Sequence, residues 1–309
     1  MQLKQLEAFY WIARLGSFHA AARHLRVAQP SISARVRELE RHLGIKLFER
    51  VGRAARPTAK GRELLAHAAR MIEIAGEIAQ RVGERDALAG RVRFGVTSIP
   101  AVTWMPRVMR RLAQAYPGIQ AEFVVDSSES MRDQLLRGDL DIAFLAGPIL
   151  DPSLATRLLG RTTMAWVAGA GLSLPGGALG PADLVDVPII TDVRGSFLHG
   201  LAIDWFRTGG VEPRCHHACS SLQTRLQLAR DGLGLAIAPP TMTARELAEG
   251  TLRMVPTSPS LPSLDYVAAI AGGTPGPVVR ALLDLALDVL AAEPNLTISV
   301  ATHQRTAAG

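Results

Sequence analysis

Cysteine is nearly missing: Cys215 and Cys219 are the only two in 309 residues, too few for a disulfide framework. Long apolar runs are missing too. No stretch approaches the roughly eighteen consecutive apolar residues that mark a membrane span. The opening MQLKQLEAFYWIARLGS interrupts its apolar pattern with polar side chains and shows no cleavage site, so it does not read as a signal peptide. Together these absences point to the cytoplasm. A catalytic constellation is also lacking. His67, His199, His216 and His217 stand beside no nucleophile motif, and no glycine-rich loop offers to cradle a phosphate. Asp139 and Asp141 sit in a helix-to-strand turn. An enzyme reading would rest on fold alone, and fold does not give function. No catalytic residue, metal or cofactor is expected.

What is present is an ordinary globular balance, 48% apolar and 20% charged, in a chain long enough for two or three domains. The charge is unevenly placed. Residues 1–62 hold 13 Lys and Arg against 4 Glu and no Asp, while the rest of the chain holds 21 basic against 24 acidic residues. The net +6 therefore belongs to the N-terminal segment, the footprint of a polyanion-binding module on a nearly neutral body.

The pattern within that segment is helical. Leu3, Leu6, Phe9, Tyr10 and Ala13 share one face of a first helix that Gly16 stops. Ser17 caps a second through its hydroxyl, and Ala20, Ala21, Ala22 and Leu25 let it pack closely. After a turn at Arg26–Ala28, the helix from Gln29 carries an apolar stripe of Ile32, Val36, Leu39 and Leu43. Pro30 falls in its first turn, where a missing N–H costs nothing. Pro30, Ala34, Arg37 and Arg41 face away from the stripe, with Gln29 and Ser33 on the flank. A helix apolar on one side and cationic on the other suits a DNA major groove. Beyond Gly44, GIKLFERVGRAARPT reads as two extended pieces around Gly52, a wing projecting Arg50, Arg53, Arg56 and Lys60.

The stretch SFHAAARHLRVAQPSISARVRELERHLGIKLFER resembles the winged helix-turn-helix of LysR-type transcriptional regulators. The resemblance lies in Gln29-Pro30-x-x-Ser33, then Leu39-Glu40-x-x-Leu43-Gly44-x-x-Leu47-Phe48-x-Arg50, then Thr58-x-x-Gly61. It is strong over 1–65 and looser over the remainder. Two positions depart from the family pattern. Ala28 stands where Ser or Thr usually precedes Gln-Pro, and Ala34 stands where a basic residue is common, with Arg35 next. The resemblance implies a homodimer or homotetramer on double-stranded DNA at an inverted-repeat operator, answering to a small-molecule effector and altering contact with RNA polymerase. Phosphate contacts are expected from Arg23, Arg37, Arg41, Lys46 and Arg53. Base readout is expected from Gln29, Pro30, Ser33, Ala34 and Arg35: Gln bonds adenine in bidentate fashion, and Ala34 and Pro30 suit the thymine methyl.

Residues 58–88 form one long helical pattern with an apolar face from Leu64 to Val82, expected to pair with a partner's copy. From Arg91 short apolar strands alternate with helices, the mark of parallel-rich α/β units. The expected fold is α/β overall: an all-α winged helix-turn-helix (1–62), a linker helix (63–90) and a two-lobed, periplasmic-binding-protein-like body (91–294). Lobe one takes 91–162 and 265–294, lobe two 163–264, and 295–309 make a mobile tail.

Ligands of open α/β sheets bind beyond the carboxyl ends of strands, near helix N-termini whose free N–H groups attract anions. Thr97 and Ser98 follow one strand, and Ser127 and Ser128 follow another. Thr191 through Phe197, with Arg194 and Ser196, follow VPIIT in the second set. A small carboxylate or similar anion between the lobes is the expected effector, where the family's pocket also lies. Leu145, Ala146 and Gly147 are expected to line it. Some relatives that bind aromatic acids carry a basic residue there, and this chain does not. Cys215, His217 and Cys219 would share a strand face, but three ligands on one extended stretch make a poor tetrahedral cage, so inert packing is expected. Two other readings stay open: a DNA-binding repressor that needs no effector, and a solute-binding protein, which leaves the basic domain unexplained.

Overall fold

The computed structural model describes residues 1–51, 54–81, 88–272 and 275–292. Its first three helices are α1 (Leu3–Leu15), α2 (Phe18–Leu25) and α3 (Gln29–Leu43). Gly16 ends α1 at φ 65, and the Ser17 hydroxyl then accepts from the Ala20 N–H to start α2. Ala28 offers α3 no side-chain cap, as its missing hydroxyl predicts. Leu6, Phe9, Ile12, Ile32 and Leu39 are at most 1% exposed, each contributing roughly 1.5–3 kcal/mol by leaving water. The wing pairs β1 (Phe48–Val51) with β2 (Ala54–Pro57), antiparallel, Phe48 opposite Pro57 and Val51 opposite Ala54. Phe48 closes the small core against Phe9 and Phe18, with ring centroids 5.4 and 5.6 Å away.

The long helix α4 (Ala59–Arg81) begins directly after the wing. Lys60 therefore stands in its first turn, bonded to Glu63 at 2.8 Å, and not on the wing. The Thr58 hydroxyl donates to the Lys46 carbonyl and accepts from the Gly61 N–H. Gly61 is required by contact: a Cβ there would run into the Leu47 carbonyl. Leu64, Leu65, Ala68 and Ile72 face the winged-helix core, while Met71, Ile74 and Ile78 remain 44, 46 and 56% exposed.

The α/β body holds two five-stranded sheets. The first contains β3 (Gly90–Val96), β4 (Ile119–Val125), β5 (Ile142–Gly147), β6 (Leu154–Thr162) and β12 (Leu264–Ala271), in the order β4-β3-β5-β12-β6. The second contains β7 (Ala165–Gly169), β8 (Ile189–Thr191), β9 (His216–Ala218), β10 (Leu235–Ala238) and β11 (Leu252–Val255), in the order β11-β7-β10-β8-β9. Each sheet pairs two neighbours parallel and two antiparallel, so the sheets are mixed and not parallel-rich. In the first sheet the strand that runs against the others is β12, which returns late in the chain; in the second it is β7, which enters first.

Helices cover the sheets: α5 (Ser98–Val102), α6 (Met105–Ala115), α7 (Ser128–Arg137), α8 (Phe197–Thr208), α9 (Leu222–Arg230), α10 (Ala244–Ala248) and α11 (Pro277–Ala291). Trp104, Phe144 and Trp166 anchor a core that runs through both lobes. The chain crosses between the sheets at Thr162 and returns at Leu264. There Arg161 grips Asp265 through bonds of 2.6 and 3.1 Å.

The winged-helix domain rests on the first lobe. The Tyr10 hydroxyl donates to the Gly272 carbonyl. His24 lies against the Trp11 ring at 3.7 Å and 3.8 Å from the Asp141 carboxylate. Residues 295–309 and the distal part of the expected linker helix (82–87) lie outside the described residues.

Candidate nucleic-acid interface and inter-lobe cleft

Burying Ile32, Val36 and Leu39 in the helical core turns the opposite side of α3 to solvent. Gln29, Pro30, Ala34, Arg37 and Arg41 are all exposed there, and Arg23 is exposed on α2. Ser33 is half-buried, and its carbonyl accepts from the Arg37 Nε at 3.3 Å. Arg35 is half-buried as well. It lies near Glu7 of α1, whose carboxyl is raised by burial against the pull of Arg35 and Lys4; this places Arg35 at the α1–α3 seam.

Glu40 explains part of the motif spacing. One of its carboxylate oxygens accepts from the Leu47 N–H at 2.8 Å and the other holds Lys46 at 2.9 Å. Gly44 between them takes φ 69. The turn from recognition helix to wing is thus clamped by one carboxylate, with Lys46 left 79% exposed. Arg53 lies outside the described residues.

The expected ligand residues separate into two groups. Thr97, Ser98, Ser127, Ser128, Ser196 and Phe197 line one cleft of about 200 Å³ between the lobes. Ser127 caps α7 by accepting from the Ser130 N–H at 3.2 Å, and Ser196 caps α8 by accepting from the His199 N–H at 3.1 Å. Ser128 bonds the Ala146 N–H and carbonyl at 3.1 Å each, tying α7 to β5. The Thr97 hydroxyl is buried and has no partner.

The second group lies elsewhere. In β5, which is buried on both faces, only Ala146 of the three expected residues reaches the cleft. Leu145 points the other way into the core under α7, and Gly147 packs against Val267. Thr191 is buried, its hydroxyl shared among the Asp192 carbonyl, His199 and His216. Arg194 is exposed and sits near His216, whose pKa is lowered by burial first and then by His199, Arg194 and His217.

Two cleft features carry no signal in the sequence. Tyr266, 1% exposed, comes from the returning strand β12, and burial pushes its phenol well up. Asp192 pairs at 3.1 Å with Arg225 of α9, whose side chain is 3% exposed. Arg225 also donates to the Cys219 carbonyl at 2.6 Å. Burial lowers its pKa, and Asp192 opposes that shift. Nearby, the Cys215 sulfur lies 3.6 Å from His217, while the Cys219 thiol turns to the Ser221 carbonyl.

Beyond Phe197 the cleft opens into a larger cavity of about 1070 Å³, walled by residues 148–152, by α8 and by Pro259, Ser260 and Pro262. Ser128, Ala146, Ser196 and Phe197 border both spaces.

Residues 3–62 match the bacterial regulatory helix-turn-helix protein, lysR family, and residues 85–291 match the LysR substrate binding domain. This chain is a LysR-type transcriptional regulator. Among curated relatives, HTH-type transcriptional regulator IlvR of Caulobacter vibrioides is 30% identical over 269 residues, covering 82% of this chain and 87% of that protein. The full-length LysR-type regulator LysG of Corynebacterium glutamicum, solved with bound effector Arg, superimposes with a TM-score of 0.59 at 22% identity, covering 94% of this chain and 99% of that one. CbnR in complex with its target DNA superimposes with a TM-score of 0.51 at 21% identity, covering 94% and 100%. Like other LysR-type regulators, the chain joins a DNA-binding helix-turn-helix to a two-lobed effector-binding domain. No described helix is long and apolar enough to cross a membrane.

Proposed function

We propose that Gln29, Pro30, Ser33 and Ala34 read an inverted-repeat operator, with Arg23, Arg37, Arg41, Lys46 and Arg53 supplying phosphate contacts and strong salt dependence. Two copies pair through α4, which covers the exposed Met71, Ile74 and Ile78. The protein works in the cytoplasm, where its DNA lies, and it is controlled by a small anion held between the lobes. One observation carries the effector reading. The N-termini of α7 and α8, one from each lobe, border the same cleft beside the unpartnered Thr97 hydroxyl. Free N–H groups at helix starts attract negative charge.

Thermal-shift screening of small carboxylates tests this. An anion at about 100 times its Kd stabilises the body by about 2.7 kcal/mol, a shift of several degrees that Thr97→Ala reduces. If no acid stabilises the protein and Thr97→Ala changes nothing, the body serves only assembly and the protein is an effector-independent repressor. For the DNA reading, Gln29→Ala is expected to weaken operator binding by about 1–3 kcal/mol and random-DNA binding much less. Equal losses on both would remove Gln29 from base readout.

A further inference from the structure

The inter-lobe cleft is larger than a small anion needs, and its outer part has a different chemistry. Along α8, Phe197, Leu201 and Trp205 recur every four residues and so form one row. All three border the 1070 Å³ cavity. The row starts at Ser196, the cap of α8. From Phe197 to Trp205 it rises through eight steps, about 12 Å at ~1.5 Å per residue, the reach of an extended chain of roughly ten carbons. Ile149 and Leu150 of lobe one also border the cavity, and Pro259 of the crossing segment lies against Trp205 at the far end of the row.

Gly200 lies beside this row, inside the helix. Glycine there costs helix stability relative to alanine, and nothing packs against it to require its small size: a Cβ at Gly200 would meet no atom within 4 Å. The space over it is open cavity.

Charge narrows the occupant further. The cavity is bordered by Glu129, Asp151 and Asp204 against the single cation Arg132. Arg132 is held by Asp133 at 2.9 Å, Asp204 pairs with Arg207 at 3.2 Å, and Asp151 accepts from the Ser153 N–H. The Trp205 N–H is taken by the Pro259 carbonyl at 2.7 Å. The polar groups are therefore largely satisfied or negative, and a second anionic group would be repelled.

We propose that the effector is an amphiphilic monoanion: a carboxylate head between the starts of α7 and α8, and an unbranched apolar tail of about eight to twelve carbons lying on the Phe197–Leu201–Trp205 row over Gly200. The head rests on the reading given above; the tail rests on the cavity.

Isothermal titration of the full chain with butanoate, decanoate, decanol and decanedioate tests both parts. Burying methylenes strengthens binding by about threefold each. Decanoate is therefore expected to bind at least thirtyfold tighter than butanoate and also tighter than decanedioate. Gly200→Phe fills the space over the row. It is expected to cost decanoate tenfold or more and leave butanoate unchanged, while Gly200→Ala keeps decanoate binding. Decanol binding as tightly as decanoate, with butanoate silent, would remove the anionic head and leave the tail site standing. Equal affinities for butanoate and decanoate, equal affinities for decanoate and decanedioate, no effect of Gly200→Phe on decanoate, or silence of both ten-carbon monofunctional ligands would overturn the tail site.

Discussion

His24 makes the resting of the winged helix on lobe one measurable through pH. Its ring lies tilted against Trp11, with centroids 3.7 Å apart, its side chain is 13% exposed, and its Nδ1 has no hydrogen-bond partner. Asp141 lies 3.8 Å away, close enough to suggest an ion pair but beyond hydrogen-bond reach. Arg93 already occupies both oxygens of that carboxylate, through its backbone N–H at 2.7 Å and its guanidinium at 2.8 Å. Burial therefore wins. It lowers the His24 pKa from 6.5 to about 4, with Asp141 opposing and Arg93 and Arg26 adding to the shift. A folded pKa below the unfolded one means that the unfolded chain binds the extra proton. The contribution of His24 is then complete above pH 6.5 and is lost as pH falls toward 4. At about 1.4 kcal/mol per unit, lowering the pH from 8 to 5 costs about 2 kcal/mol through this residue alone.

The assay is urea denaturation of wild type and His24→Phe at pH 8, 6.5 and 5, followed by tryptophan fluorescence. Phenylalanine keeps the ring contact with Trp11 and removes the titration, and every other acid-sensitive group cancels between the two proteins. The gap between the curves is expected to shift by about 2 kcal/mol in favour of His24→Phe between pH 8 and pH 5. A gap constant to within about 0.5 kcal/mol would show that His24 is not buried in the folded protein, and with it that the domain does not rest on Asp141.

Two further substitutions probe single contacts. Gly61→Ala drives a methyl into the Leu47 carbonyl, so chemical denaturation is expected to show a loss of about 2 kcal/mol or more, together with weaker operator binding as the wing shifts; an unchanged midpoint would mean that α4 slides freely past the wing. Arg225→Met strips Asp192 of its buried partner and is expected to cost about 3 kcal/mol, of which Asp192→Asn on the same background restores part; no recovery would place the loss in packing and not in charge.

How much of this was legible in the sequence varies with what each segment has to bury. Helix α7 is framed by Ser127 at its start and Gly138, at φ 73, past its end, so its bounds can be read from punctuation alone. Strand β6 has no such signature. LATRLLGRT is an edge strand whose pattern of burial follows β12 and shows no alternation, and no strand was expected there. The same logic decides Leu145 and Ala146. In a strand buried on both faces, hydropathy does not tell which side looks into the cleft. Arg225 was hidden for a related reason: an arginine in LQTRLQLAR reads as a solvent-facing charge, and only the fold brings Asp192 to it. The helix-turn-helix was the most legible part because its apolar stripe, its charge and its turn residues all constrain the same few positions.

The hydroxyls around the cleft have a consequence for how such a site diverges. Ser127 and Ser196 are engaged by their own helices, and Ser128 by Ala146. What the helix starts present to an occupant is main chain, and main chain has no alleles: any residue except proline keeps the same N–H in place. The attraction for negative charge is thus carried by the path of the backbone, while the walls are free to vary. With an anionic effector held as proposed, substitutions on the α8 row exchange one effector for another and leave the anion grip as it was. A serine-by-serine alanine scan of this cleft would register helix caps lost and stay blind to the part that holds the ligand.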